Sequence, residues 1–185
     1  MPDNGKLIEL ARYLMGPDSS LVDEIELAIN KPHDYVGRFA KRLRLRGIRQ
    51  PANMLPWIAL VDGLLERGQL EEIDWKGSPE EVQAALRRIT GQQGEWAWLW
   101  DEDPEGRFLR PPRELFPRIN EQLDNGGRIL MVIDIGSDSY PLIVLAHNRI
   151  IEASQLARLA GYGRIIPAVA AYTVPDTKRR KWSSL

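Results

Sequence analysis

Few residues in this chain have the types and spacing that chemistry requires. Asp134 and Asp138 lie four positions apart in the segment Asp134-Ile135-Gly136-Ser137-Asp138-Ser139. Two carboxylates beside a glycine can ligate a hard cation. A calcium loop of the EF-hand type would continue with more oxygen ligands and a glutamate, whereas here the chain enters an apolar run at Tyr140. The expectation is therefore a polar hairpin turn in which Asp138 or Ser139 bonds the backbone. Asp134 and Asp138 stand as the metal-ligating alternative. Asp74 and Asp134 each close a strand-like segment and could act as a paired acid and base. Pairing of each with an arginine or a helix N-terminus is the expected reading, because structural carboxylates at strand ends are common.

What is missing narrows the chemistry further. Cysteine is absent, which removes disulfides, thiolate catalysis and cysteine metal sites together. His33 and His147 are the two histidines, so a histidine-rich metal centre is excluded. Neither a phosphate-binding G-x-x-x-x-G-K-[ST] loop nor a dinucleotide-binding G-x-G-x-x-G occurs, and H-E-x-x-H and G-x-S-x-G are likewise absent. His147 precedes Asn148 at an expected turn and reads as an ordinary surface histidine. No catalytic residue and no cofactor is assigned, and a non-enzymatic role is favoured.

Charge supplies the other candidate. Lys41, Arg42, Arg44, Arg46 and Arg49 put five cations into nine residues of a chain whose net charge is −1. On a helix, Lys41 and Arg44 share a face, as do Arg42 and Arg46. Such a stripe can meet phosphates, an acidic protein surface or the negative end of its own helix. Aromatic residues for base stacking do not interleave with it, and the balanced total charge argues against a nucleic-acid binder. A second cluster, Lys178, Arg179, Arg180 and Lys181 beside Trp182, reads as a solubilising tail. Trp96, Trp98 and Trp100 would share one face of a strand, more in keeping with core than with a binding groove.

These side chains must be positioned by recognisable elements. In the first third, Leu7, Leu10, Ala11 and Leu14 repeat at helical spacing, and Leu21, Ile25, Ala28 and Ile29 do the same. A third helix is expected through Tyr35, Val36, Phe39, Ala40 and Leu43, ending at Gly47, and a fourth over residues 53–67. The fourth is apolar around most of its circumference and should be deeply buried. Residues 70–75 could form a short strand. Ser78-Pro79-Glu80-Glu81 is the sharpest local signal: a serine N-cap, a proline at the first helical position and a glutamate at the reciprocal site. Residues 128–134 and 140–146 are apolar strands joined by a polar, glycine-containing turn, hence an antiparallel hairpin. A helix over residues 151–161 and a last strand over 164–174 follow, with Pro167 confining that strand to an edge.

The 185 residues, 43% hydrophobic and 28% charged, are those of an ordered globular chain. The expected class is α+β: an N-terminal helical subdomain over residues 1–68, a mostly antiparallel sheet packed by helices over 69–174, and a basic tail over 175–185. No run approaches the roughly 18 apolar residues of a membrane span, and no signal peptide is apparent, so the expected location is the cytoplasm.

Ile73-Asp74-Trp75-Lys76, the Ser78-Pro79-Glu80-Glu81 box, Ile133-Asp134 with Gly136, Asp138-Ser139-Tyr140, and Leu156-Ala157 with Gly161 carry a resemblance. Over residues 60–174 the chain resembles a bacterial family of small domains of unknown function. In that family an acidic D-W-K precedes a helix and D-x-x-x-D-S-Y joins two strands. Similar small cytoplasmic α+β proteins include immunity proteins that neutralise bacterial toxins. By analogy of fold this implies a binding protein whose partner is another protein, of the immunity or adaptor kind, with the residue 41–49 stripe as contact. Membrane association is not implied.

Overall fold

A computed structural model of the chain describes residues 2–16, 19–91, 96 and 112–171. Helix α1 (Asn4–Met15) starts where the Asp3 carboxylate accepts from the Lys6 amide at 3.0 Å. It buries Leu7, Leu10, Ala11 and Leu14, the residues of its apolar stripe. Helix α2 (Ser19–Asn30) buries Leu21, Val22, Ile25 and Ala28. The single helix expected next is two, α3 (Pro32–Arg38) and α4 (Ala40–Leu45), divided at Phe39 with φ −108° and ψ 23°. Helix α5 (Leu55–Glu66) is buried over ten consecutive residues, Leu55 to Leu64. Gly63 permits the approach of α2, since a Cβ there would lie 2.3 Å from Leu21 Cδ1.

Strand β1 (Glu71–Asp74) leads to α6 (Pro79–Thr90), and α7 (Pro112–Asp124) precedes the hairpin of β2 (Arg128–Asp134) and β3 (Ser139–Ala146). A 3-10 turn, His147–Arg149, opens into α8 (Ile150–Ala160). The expected last strand ends early. Strand β4 (Arg164–Pro167) is four residues long, and the short helix α9 (Ala168–Ala171) follows it. Proline offers no N–H at that edge.

The four strands form one sheet in the order β1-β3-β2-β4, antiparallel throughout. In β2 and β3 successive side chains serve opposite layers. Leu130, Val132, Tyr140 and Leu142 join Ile73 against α6 and α7. Met131, Ile133, Ile143 and Leu145 join Ile165, α8 and the N-terminal helices. Both faces are covered, which is why these strands read as unbroken apolar runs. The protein is thus α+β, with N-terminal helices followed by a four-stranded antiparallel sheet packed with helices. The side chains of α1, α2 and α5 belong to the same buried cluster as one face of the sheet. No helix among the described residues is long and apolar enough to cross a membrane. The tail, residues 175–185, lies outside the described residues, as do Trp98 and Trp100. Trp96 is described as a buried turn residue whose carbonyl accepts from Gln83 Nε2 at 3.1 Å.

The start of α6 has the reciprocal geometry of a capping box. Ser78 Oγ accepts from the Glu81 amide at 3.3 Å, and Glu81 Oε2 accepts from the Ser78 amide at 2.7 Å. Ser78→Ala is expected to cost about 0.5–2 kcal/mol, read as a lower urea midpoint with an unchanged slope. A midpoint unchanged within error would show that the cap contributes nothing.

Candidate functional site

The five cations of the 41–49 stripe, three on α4 and two, Arg46 and Arg49, in the segment that follows it, divide between an inward and an outward side. Leu43 is buried and sets the inward side. Arg42 and Arg46, four residues apart, turn toward α5, α2 and β1. Lys41, Arg44 and Arg49 are exposed, together with Leu45, which retains 87% of its accessible surface.

Arg46 is the hub of the inward group. Its Nε donates to Asp62 Oδ1 at 2.7 Å. Its two terminal nitrogens bond both oxygens of Glu72, at 3.1 and 2.6 Å, the fork geometry that only arginine offers a carboxylate. Arg42 donates from Nη2 to Glu24 at 2.8 Å and to the Tyr35 hydroxyl at 2.5 Å. It also pairs with Glu66 at 2.7 Å and, more loosely, with Asp62 Oδ2 at 3.5 Å. The guanidinium lies 3.8 Å from the centre of the Phe39 ring. Arg67 bonds Glu24, Ser20 and the Gly63 carbonyl. On the sheet side, Ser139 Oγ donates to Glu72 and contacts Ser137 Oγ at 2.8 Å.

This network holds three guanidinium groups and four carboxylates. Asp62 is the most enclosed, with 4% of its surface exposed. Burial pushes its carboxyl above the ordinary aspartate range, against the pull of Arg46 and Arg42. Burial also lowers the Arg42 pKa, but the bonds to Glu66 and Glu24 outweigh it and hold that guanidinium charged. The Tyr35 hydroxyl is pushed up to about 12, chiefly by burial. Ser139 has a carboxylate neighbour, as a nucleophile would need. That carboxylate is gripped on both oxygens by Arg46, which holds it in the ion-pair network. What the arrangement does is fasten α2, α4, α5, β1 and the start of β3 to one another.

The other candidate residues have separate places. Asp134 Oδ1 accepts from the Gly136 amide at 3.0 Å, and Oδ2 pairs with Arg164 at 2.8 Å. Asp138 is exposed, and its carbonyl accepts from the Trp75 amide at 3.0 Å. Asp74 bonds the Lys76 amide at 2.8 Å and sits on β1, separated from the strand of Asp134 by β3. His33 is exposed, and His147 pairs with Asp124 at 3.1 Å. Among the described residues, no three histidine, aspartate or glutamate side chains gather as a metal site.

Sequence reasoning overlooked Glu24, Asp62, Glu66 and Glu72. One sign of them is visible: Asp62 is a lone buried-position charge in the apolar run Leu55-Pro56-Trp57-Ile58-Ala59-Leu60-Val61-Asp62-Gly63-Leu64-Leu65. A charge there demands a partner of opposite sign, and the nearby arginine-rich segment supplies two.

No curated protein and no solved structure matched the chain. The profile of a family described as a domain of unknown function (DUF6630) matches residues 6–168. That span takes in the N-terminal helices as well as the sheet, reaching well beyond the 60–174 segment that carried the resemblance in the sequence. The chain belongs to the DUF6630 family of domains of unknown function.

Proposed function

We propose that this is a non-enzymatic binding protein that docks the outer edge of α4 and the turn after it onto an acidic surface of another protein. The observation that carries this reading is the outward group of Lys41, Arg44 and Arg49 around the exposed Leu45. Among the described residues none of the three cations is paired with a carboxylate. Glu24, Asp62 and Glu72 are taken up by Arg42, Arg46 and Arg67. The edge is therefore left with uncompensated positive charge on a helix that its own inward arginines hold in place. Such charge acts chiefly on association rate and selectivity, and an apolar side chain at its centre supplies contact area. The role fits the immunity or adaptor kind, and we place it in the cytoplasm, in keeping with a chain that uses no cysteine.

Capture from native lysate, with and without nuclease, tests this. The wild-type protein is expected to retain a nuclease-resistant protein partner that elutes with rising salt. The exposed triple variant Lys41→Glu/Arg44→Glu/Arg49→Glu should lose it while keeping its thermal midpoint. Retention of every partner by that variant would show that the edge is only solvated. Recovery of nuclease-sensitive material alone would replace the protein partner with nucleic acid.

A further inference from the structure

Residues 39–54, which carry α4 and join α3 to α5, are attached to the molecule at few points. Two of these residues, Leu43 and Ile48, are buried, whereas every residue from Leu55 to Leu64 is. Phe39 and Met54, at the two ends, are half-buried against the core. Backbone hydrogen bonds are local. The Leu43 amide donates to the Phe39 carbonyl at 3.1 Å and the Ile48 amide to the Leu43 carbonyl at 2.9 Å. At the ends such bonds reach Tyr35, Leu55 and Ile58 in the flanking helices. Among the described residues, the polar links from this segment to α2, α5 and β1 run through two side chains. Arg42 holds Glu24, Asp62 and Glu66, and Arg46 holds Asp62 and Glu72.

We propose that residues 39–54 are a strap, latched by Arg42 and Arg46, that opens as a unit while the sheet and the other helices stay folded. Regions with few buried apolar contacts are the first to open locally. Enclosed ion pairs add little to closure, because both charges regain water on opening, and the desolvation they escape offsets much of their attraction. Regular structure also breaks where an opening strap has to bend: at Phe39, with φ −108° and ψ 23°, and between the end of α4 at Leu45 and the start of α5 at Leu55. Element ends of this kind absorb the dihedral changes of a hinge. Lys41, Arg44, Leu45 and Arg49 all ride on the strap. On the docking reading above, the closed strap presents that edge and the open one disperses it, so the latch sets the fraction of molecules ready to bind. The opening itself needs no partner.

Native-state hydrogen exchange of the full chain alone, followed amide by amide in low urea, reads this directly and is independent of the docking reading. The Leu43, Gly47 and Ile48 amides are expected to exchange about tenfold or more faster than those of α5 and β3. Their rates should rise only shallowly with urea, since the slope scales with the surface that opening exposes. Arg46→Lys keeps the charge but gives up the fork to Glu72, and should speed these amides by about tenfold. Ser78→Ala acts on α6, away from the strap. It should speed the α5 and β3 amides several-fold through global unfolding and leave the strap amides unchanged. Strap amides that share the rate and urea slope of α5 overturn the proposal. So does indifference of those amides to Arg46→Lys, or their acceleration by Ser78→Ala to the same degree as α5.

Discussion

Arg46→Ala should lower the stability of the fold by about 3–5 kcal/mol, the range for removing one partner of an enclosed ion pair. Arg46 holds Asp62 and both oxygens of Glu72, and all three side chains are largely shielded from water. Its loss leaves two carboxylates facing each other's charge with Arg42 as the remaining counterion, 3.5 Å from Asp62. The deficit should depend on pH in a definite direction. The Asp62 carboxyl already titrates above its unfolded value because of burial. A group raised in this way favours the folded state below its unfolded pKa, and that contribution is lost as pH rises through the folded pKa. Removing Arg46 raises the folded pKa further. The variant should therefore be most impaired at neutral pH and recover part of its loss in mild acid. Asp62→Asn in the Arg46→Ala background should recover part of the same loss at neutral pH, because it removes the stranded charge. Urea titrations followed by tryptophan fluorescence at the two pH values measure all of this. A deficit below about 1 kcal/mol would mean that water screens the network as it does a surface pair.

The network also shows where reading the sequence stopped. Local signals carried well. Ser78 to Glu81 form the box their order predicts, and residues 128–146 form the antiparallel hairpin their apolar runs and polar turn predict. Each of these depends on neighbours within a few residues or on a period of two. The break at Phe39 was not legible, because the apolar spacing from Tyr35 to Leu43 continues through it. The structure sets the Phe39 ring between Tyr35, at 4.7 Å, and the Arg42 guanidinium. Strand β4 was legible in part: it lies at the sheet edge, as Pro167 requires, but it ends at that proline instead of running on to residue 174. The partners of Arg42 and Arg46 lie on α2, α5 and β1, and no spacing rule spans such separations. The stripe itself was visible, but its division into inward and outward cations required knowing what packs against α4.

The second large effect is expected where the N-terminal helices meet the sheet. Trp57 on α5 is fully buried, and its Nε1 donates to the Asp134 carbonyl at 3.0 Å. Gly163, just before β4, lies against the same ring. A Cβ there would come within 2.4 Å of Trp57 Cε2 and 2.8 Å of the Asp134 carbonyl oxygen. Indole, carbonyl and glycine thus form one close contact between elements from opposite ends of the chain. Trp57→Ala should cost about 3–5 kcal/mol by cavity formation and lost contacts. Trp57→Phe keeps most of the apolar bulk but leaves the Asp134 carbonyl without its donor, a loss of about 1–3 kcal/mol. Gly163→Ala alone should cost about 1–3 kcal/mol by overpacking. Placed in the Trp57→Ala background, Gly163→Ala should cost less, since the ring it strikes is gone and only the 2.8 Å approach to the Asp134 carbonyl oxygen remains to be relieved. That non-additivity is the discriminating measurement, because substitutions that act independently would simply sum. It also tests the cohesion of the molecule. If residues 1–68 unfold separately from the sheet, Trp57→Ala should split the denaturation curve or shift one probe without the other. If the shared core couples them, far-ultraviolet circular dichroism and tryptophan fluorescence should move together to the same lower midpoint.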